Sequence, residues 1–176
     1  MSQLRKIEVI RMPKNTFLNL NEEKRKKIET ALINEFSRET FEEASISNII
    51  LEAKIPRGSF YQYFEDKQDA IQYIIEKYLK LEHEKICQIL LETEGDIFEA
   101  SLKMYDYMIK ESRDNYRLRL FKNILQELRK SNNNFFDDKY AIESKKKIDK
   151  IINIDNLKIE KEDDLRIYHE NFDNNN

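Results

Sequence analysis

The sequence contains few of the residues that form tight turns or cross-links. Its 176 residues include only two glycines and two prolines, which argues against a turn-rich β fold and favours long helices. The single cysteine, Cys87, excludes an internal disulfide, and we interpret it as a small buried apolar residue rather than a redox sensor. The composition therefore predicts an all-α protein.

Further absences narrow the functional classes. No apolar run approaches the roughly 18 residues of a transmembrane helix and no charged-then-apolar leader opens the chain, so we expect a cytoplasmic protein without membrane contact. The two histidines, His83 and His169, lie far apart, and neither a glycine-rich phosphate loop nor a nucleophile elbow occurs. We therefore expect no metal site, no cofactor and no enzymatic activity.

Charged residues are abundant, at 37% of the chain, but they are unevenly distributed. The formal net charge is −3, which divides into +1 over residues 1–67 and −4 over residues 68–176. A near-neutral first part followed by an acidic second part is compatible with nucleic-acid binding by the first part. Charge alone does not establish such binding.

Residues 45–64, SISNIILEAKIPRGSFYQYF, predict two short helices joined by a tight turn. Ser45 is placed to cap the first helix with its hydroxyl. Pro56 suits the first position of the second helix, so the turn falls at Lys54 and Ile55. The apolar residues of the first helix recur at spacings of three and four and share one face: Ile46, Ile49, Ile50 and Ala53.

In the second helix, Phe60 and Phe64 lie four residues apart and can both face inward. The outward surface then offers donors, hydroxyls and aromatic edges around one small residue: Arg57, Gly58, Ser59, Tyr61, Gln62 and Tyr63. Base edges in a DNA major groove require a surface of this kind. The alternative, from periodicity alone, is an amphipathic helix whose polar face only meets water.

The segment RGSFYQYFEDKQDAI, with SISNIILEAKI and NEEKRKKIETALINEFS before it, resembles the DNA-binding domain of the TetR/AcrR family of bacterial transcriptional regulators. The resemblance runs from about Phe17 to Tyr78. Lys54 stands at a turn position where the family usually has glycine, and Pro56 stands where a capping serine is common. The residues that carry the resemblance are Gly58, Phe60, Tyr61, Tyr63, Phe64 and Lys67.

This resemblance implies a regulator that binds double-stranded operator DNA as a homodimer, typically a repressor released by a small-molecule effector. We assign Arg57 and Ser59 to base edges, Gly58 to close approach, and Tyr61 to an additional apolar or hydroxyl contact. The remaining candidates are assigned to the DNA backbone (Ser45, Tyr63 and Lys67) or are secondary (Ser47 and Gln62). The competing hypothesis is a helical interaction protein that retains a vestigial motif and is impaired in dimerisation.

Helical periodicity continues on both sides of this motif. Asn21 is predicted to cap a helix that buries Ile28, Leu32 and Phe36. Asp66 is predicted to cap a long helix that has Lys67 at its first position and is ended by Gly95, and further helices are expected near 96–112, 115–131 and 135–152. A break at Asn132–Asn134 and a last short helix are also expected, the latter from Leu165, Ile167, Tyr168 and Phe172.

We divide the chain into a flexible basic arm (1–16), a helix-turn-helix DNA-binding domain (17–66) and a helical regulatory and dimerisation domain (67–176). The arm either contacts a minor groove or phosphates, or is a tail without a role. The third part lacks two long apolar helices that the family usually has, so we expect either a dimer that is built differently or a shortened domain. Five of its residues could line a cavity, although their spacing is more typical of plain core: Met104, Tyr105, Met108, Phe121 and Leu125.

Overall fold

The computed structural model describes residues 13–130, 138–153 and 155, and within these ranges the chain forms eight α-helices. They are α1 (Asn15–Leu18), α2 (Glu22–Arg38), α3 (Ile46–Ala53), α4 (Arg57–Tyr63), α5 (Lys67–Glu92), α6 (Ile97–Ser112), α7 (Asn115–Lys130) and α8 (Asp138–Ile151). The all-α prediction is confirmed, and the three later helices begin and end within a few residues of their predicted limits. The expected break at Asn132–Asn134 and the expected last helix around Leu165–Phe172 lie outside the described residues.

The start of α2 agrees with the cap predicted from sequence. The Asn21 side chain accepts a hydrogen bond from the Lys24 backbone N–H at 2.9 Å, and Glu22 and Glu23 occupy the first turn, where their charge complements the helix dipole. The face that the spacing of apolar residues predicted is fully buried and consists of Ile28, Leu32 and Phe36.

A hydrophobic core fills the space beneath α2, α3, α4 and the first half of α5. Its largest fully buried members are Phe17, Ile28, Leu32, Phe36, Ile49, Phe60, Phe64, Ile71, Ile74, Ile75 and Ile124. Leu120 and Ile124 come from α7, which packs against α2. The core of the N-terminal helices therefore continues into the part that we predicted to be a separate regulatory domain.

Gly95 turns the chain between α5 and α6, as the sequence predicted. Its φ is +79°, and an added Cβ would lie 2.2 Å from the Ile151 carbonyl oxygen and 2.5 Å from the Asn153 backbone nitrogen. Only glycine combines this φ with so close an approach of the α8 end. A smaller core joins α5, α6 and α8 at this end of the molecule through Ile89, Leu90, Ala100, Met104, Ile148 and Ile151.

The α6 helix carries apolar side chains on two opposite faces, which the sequence analysis did not foresee. Its inner face packs on α5 and α8 through residues such as Ala100 and Met104. Its outer face is exposed, with Leu102 at 69% and Tyr105 at 62% exposure, and also includes Phe98 and Ile109. The interpretation of Tyr105 and Met108 as plain core is therefore wrong for the described structure.

Cys87 is buried, as predicted, with its Sγ 3.5 Å from His83 Nε2. None of the helices in the described ranges is both long enough and apolar enough to cross a membrane.

Candidate nucleic-acid interface

The turn between α3 and α4 lies at Lys54 and Ile55, as the sequence predicted. Lys54 adopts a left-handed conformation (φ 54°, ψ 46°) at the end of α3, and the Ile55 N–H donates to the Ile50 carbonyl at 3.1 Å. A bond of this span after a left-handed residue is a Schellman motif, which closes the end of a helix. Glycine is the usual residue at such a position because a Cβ strains it.

The N-terminus of α3 is held by a residue that the sequence analysis missed. Ser45 makes no side-chain cap, so its predicted capping role is wrong. The carboxylate of Glu35, on α2, accepts the Ser45 backbone N–H at 2.7 Å and the Asn48 amide at 3.0 Å, and also pairs with Arg38. Glu35 thereby fixes α3 against α2. In the sequence, the role of Glu35 is indicated only by the position of its charge beside the buried apolar residues of α2.

The pKa of the Glu35 carboxyl is displaced by two opposing causes. Burial of this fully enclosed side chain raises the pKa, but hydrogen bonds from Arg38, the Ser45 amide and Asn48 stabilise the charged form and leave the pKa below its ordinary value. The ionised carboxylate is therefore the form that holds α3 in place.

The α4 helix presents its polar side chains to solvent and buries its phenylalanines. Phe60 and Phe64 are fully buried with ring centroids 5.4 Å apart, as predicted. Pro56 is the N-cap residue of α4 rather than its first helical residue, so the helix begins one position later than predicted. The outward residues of the candidate interface are Ser47, Arg57, Gly58, Tyr61 and Gln62, which are exposed, with Ser45 and Ser59 half-buried beside them.

Arg57 and Tyr61 form one unit on the exposed face of α4. They lie four residues apart, the guanidinium carbon of Arg57 is 5.9 Å from the Tyr61 ring centroid, and Arg57 Nη2 is 3.5 Å from the Tyr61 hydroxyl oxygen. A guanidinium at this distance from an aromatic face is held by cation–π attraction. Both side chains of the pair are exposed.

Gly58 lies between these residues, and no heavy atom of the described residues comes within 4 Å of the position that a Cβ would take. Glycine in a helix costs about 0.5–1 kcal/mol relative to alanine. The packing of the described residues does not require glycine at position 58, because an alanine side chain would fit there.

Two predicted contact residues have structural partners inside the domain. Tyr63 is only 4% exposed and packs against Phe17 with ring centroids 5.9 Å apart, so the expectation that it faces outward is wrong. The Lys67 ammonium donates to the carbonyl oxygens of Glu42 at 2.7 Å and Ala44 at 3.0 Å. Lys67 therefore attaches the loop between α2 and α3 to the start of α5.

The start of α5 agrees with the sequence prediction. Asp66 caps it by accepting the Asp69 backbone N–H at 2.9 Å, and Lys67 is its first residue. Asp69 in turn accepts the Glu65 backbone N–H at 2.8 Å. These two bonds satisfy two backbone N–H groups where α5 begins.

The predicted basic arm is not a loose segment throughout. Residues 1–12 lie outside the described structure, but Lys14 and Thr16 hydrogen-bond to the end of α4. Lys14 Nζ donates to the Tyr61 carbonyl at 2.9 Å, and the Lys14 N–H donates to the Tyr63 carbonyl at 2.8 Å. The expected boundary of the arm at residue 16 is therefore wrong.

A cavity of about 290 Å³ lies between α5, α6 and α7. Met104, Met108 and Phe121 line it, as suggested by sequence, but Tyr105 and Leu125 are exposed elsewhere. Burial, with the neighbouring Glu82 carboxylate, raises the pKa of the Tyr78 hydroxyl on the cavity wall, so this hydroxyl stays protonated. The other charged groups at the wall are Glu82, Glu111 and Arg117.

Comparison with known proteins gives a match over the N-terminal helices. Residues 28–74 match the family model described as bacterial regulatory proteins, tetR family. Among solved structures, the chain is similar to a TetR family transcriptional regulator from Chloroflexus aurantiacus J-10-FL, at 30% sequence identity and a TM-score of 0.48. A search of curated proteins found no match.

The similarity to the Chloroflexus protein covers 62% of this chain and 51% of that one, so the chain spans about half the length of the solved regulator that it matches. The family match includes α3, α4 and the turn between them. Over residues 28–74, the chain is therefore similar to the tetR family of bacterial regulatory proteins.

Proposed function

We propose that the protein is a sequence-specific transcriptional regulator that inserts α4 into the major groove of operator DNA. The observation that carries this proposal is Gly58, which the interior of the protein does not require and which leaves the middle of the polar face of α4 open. A missing side chain at this place lets a partner surface approach the helix backbone. The groove of B-DNA, about 12 Å wide, accommodates a helix in this way.

The exposed side chains around Gly58 divide into two roles in this proposal. Arg57 and Ser59 contact base edges, and Tyr61, held by Arg57, adds an apolar or hydroxyl contact. Ser45, Ser47 and Gln62 are proposed to donate to phosphate or sugar oxygens at the edges of the groove.

Lys67 is retained as a proposed contact to the DNA backbone, and Tyr63 is proposed for such a contact through its hydroxyl only, because its ring is buried against Phe17. Two donors of the Lys67 ammonium are directed to carbonyls, and the third would be available to a phosphate at the start of α5. Lys67→Ala is therefore expected to weaken binding to all DNA sequences alike and also to loosen the loop before α3.

We propose that the active form is a homodimer, because two recognition helices one DNA turn apart give affinity for a palindromic site. The outer face of α6 supports this proposal. Phe98, Leu102, Tyr105 and Ile109 follow the alternating four-three spacing of a helix-pairing seam, and all four are exposed in the described structure. A helix that is apolar on both faces is normally buried on both.

We further propose that the protein is a repressor released by a small apolar effector. The cavity between α5, α6 and α7 has a mainly aromatic and aliphatic wall with Glu82, Glu111 and Arg117 as polar groups. Both α5 and α7 line this cavity and pack on α2. An effector that shifts α7 would therefore change the placement of the helices that carry the DNA-binding surface.

The proposal is tested by selecting bound duplexes from a random pool and measuring the salt dependence of binding to the selected site. We expect a palindromic site whose affinity exceeds that of random duplex and falls as salt rises. A monomer at micromolar concentration without salt-sensitive DNA binding would contradict the proposal. That result would favour the alternative of a helical interaction protein with a vestigial motif.

A further inference from the structure

The C-terminal end of α4 is held by residues that precede the DNA-binding helices in sequence. We propose that Lys14 and Thr16, named here the N-terminal clamp, are positioning residues that set the orientation of α4 for base recognition. This inference rests on the proposed function, because it assigns the clamp a role in specificity as well as in folding.

The clamp supplies donors for three consecutive carbonyls. Lys14 Nζ donates to Tyr61 O at 2.9 Å, the Thr16 hydroxyl donates to Gln62 O, and the Lys14 backbone N–H donates to Tyr63 O at 2.8 Å. The last carbonyls of a helix have no partner within the helix and must find one outside. The clamp therefore completes the hydrogen bonding of α4 at the end that carries Tyr61 and Gln62.

The remaining carbonyl of this turn is satisfied within the chain, since the Phe64 N–H donates to Phe60 O at 2.9 Å. The clamp itself is anchored by Phe17, which is fully buried and whose ring centroid lies 4.8 Å from that of Phe64. The segment that carries Lys14 and Thr16 is thus fixed to the same core that holds the inner face of α4.

The charge of Lys14 suits its position. Its ammonium lies at the C-terminal end of α4, where the helix dipole is negative, and it also pairs with the Glu65 carboxylate at 3.3 Å. A helix of seven residues is too short to be stable by itself, so its orientation depends on such contacts. Base recognition requires that orientation to be set before binding, since disorder in the free helix weakens the specific complex.

The test uses full-length variants that remove the clamp donors one at a time. Thr16→Val removes the hydroxyl at nearly constant shape, Thr16→Ser retains it, and Lys14→Met removes the ammonium but keeps the backbone N–H. Ser101→Ala is the matched hydroxyl control, because Ser101 makes a similar bond to a carbonyl on α6. Lys103→Met is the charge control, since the Lys103 side chain is 43% exposed against 42% for Lys14 and also forms one ion pair.

Two measurements are made on each variant. The first is the ratio of affinities for the selected duplex and for random duplex, which we expect to fall about 3- to 10-fold in Thr16→Val and Lys14→Met and to recover in Thr16→Ser. The second is amide hydrogen exchange without DNA, which we expect to become faster in residues 60–64 while α2 is unchanged. Both control variants should behave as the wild type in both measurements.

Three results would overturn the inference: unchanged exchange in residues 60–64, equally faster exchange throughout α2–α5, or failure of Thr16→Ser to restore the ratio. The second of these would indicate a general loss of stability rather than a positioning role. If the wild type bound no DNA at all, the proposed function would fail, and the exchange measurement would still decide whether the clamp holds α4.

Discussion

Gly58 lies in the first turn of α4, where no residue in the described part of the chain fills the space beside its Cα. The presence of glycine therefore has a different explanation at each of the two glycine positions of the chain. Gly95 has a positive φ and a backbone neighbour that excludes any Cβ, so folding alone explains it. Gly58 has neither constraint among the described residues, and the proposed contact with DNA supplies a reason for leaving its side chain out.

Replacing Gly58 with alanine should stabilise the fold and weaken operator binding. The free energy of unfolding is expected to rise by about 0.5–1 kcal/mol, because alanine loses less backbone entropy in a helix. The dissociation constant for the selected duplex should rise, since the methyl group would separate α4 from the bases. Urea denaturation and fluorescence anisotropy measure the two effects, and unchanged or tighter operator binding would contradict the role given to Gly58.

At the scale of elements, the orientation of α3 and α4 depends on contacts from elsewhere in the chain. Asn21 and Asp66 cap their own helices, and such local caps are predictable because donor and acceptor are three residues apart. Glu35 caps α3 from α2, and the N-terminal clamp closes α4 from before α2. These long-range caps depend on how the helices pack, which a sequence pattern does not specify.

Lys54→Gly should stabilise the protein through the turn between α3 and α4. A non-glycine residue in the left-handed conformation costs about 1–2 kcal/mol, and glycine removes most of this cost while it adds entropy to the unfolded chain. We therefore expect the free energy of unfolding to rise by about 1 kcal/mol or less. Thermal and urea denaturation measure this change. Lys26→Gly, at an exposed position of α2, is a control that should instead destabilise the protein.

Glu35→Gln should lower the free energy of unfolding at neutral pH. It should also make that free energy fall less as the pH is lowered. The folded pKa of Glu35 lies below its unfolded value of about 4.3, so its contribution is fully present above that value and is lost as pH falls through the folded pKa. At pH 7 the variant should lose about 1–3 kcal/mol, because a charged acceptor of three hydrogen-bond partners becomes neutral.

The check is the melting temperature of wild type and variant between pH 7 and pH 3. The two curves should approach each other as pH falls below about 4.3. A constant difference over this window would show that Glu35 does not contribute through its charge.

At the scale of the whole molecule, the described helices form a continuous structure in which α7 joins the cavity to the N-terminal core. Helix limits and the helix-turn-helix could be predicted because periodicity and caps are local signals. The buried position of Tyr63 could not, because it depends on Phe17 covering it from α1. The exposed face of α6 could not be predicted either. Leu102 and Met104 lie on opposite sides of this helix, and periodicity does not tell which side packs on the core.

Leu102→Lys should convert the proposed dimer to a monomer with little change in folding stability. Leu102 is exposed in the described chain, so a charge there costs little in the monomer, but it would be buried without a partner at a paired α6 face. Sedimentation velocity should show half the wild-type mass, with a matching loss of operator affinity. Leu81→Lys, at an exposed leucine of α5, should leave the mass unchanged, and a dimeric Leu102→Lys would exclude this face as the interface.

The most direct test of the central claim, that the outward face of α4 reads base edges, is a base-substitution scan of the selected duplex with wild type and Arg57→Ala. We expect Arg57→Ala to lose about 1–3 kcal/mol on the selected site and to become insensitive to substitution at one base pair in each half-site, while the other positions keep their effects. An equal loss of affinity for the selected duplex and for random DNA, with every base position still discriminated as in the wild type, would contradict it.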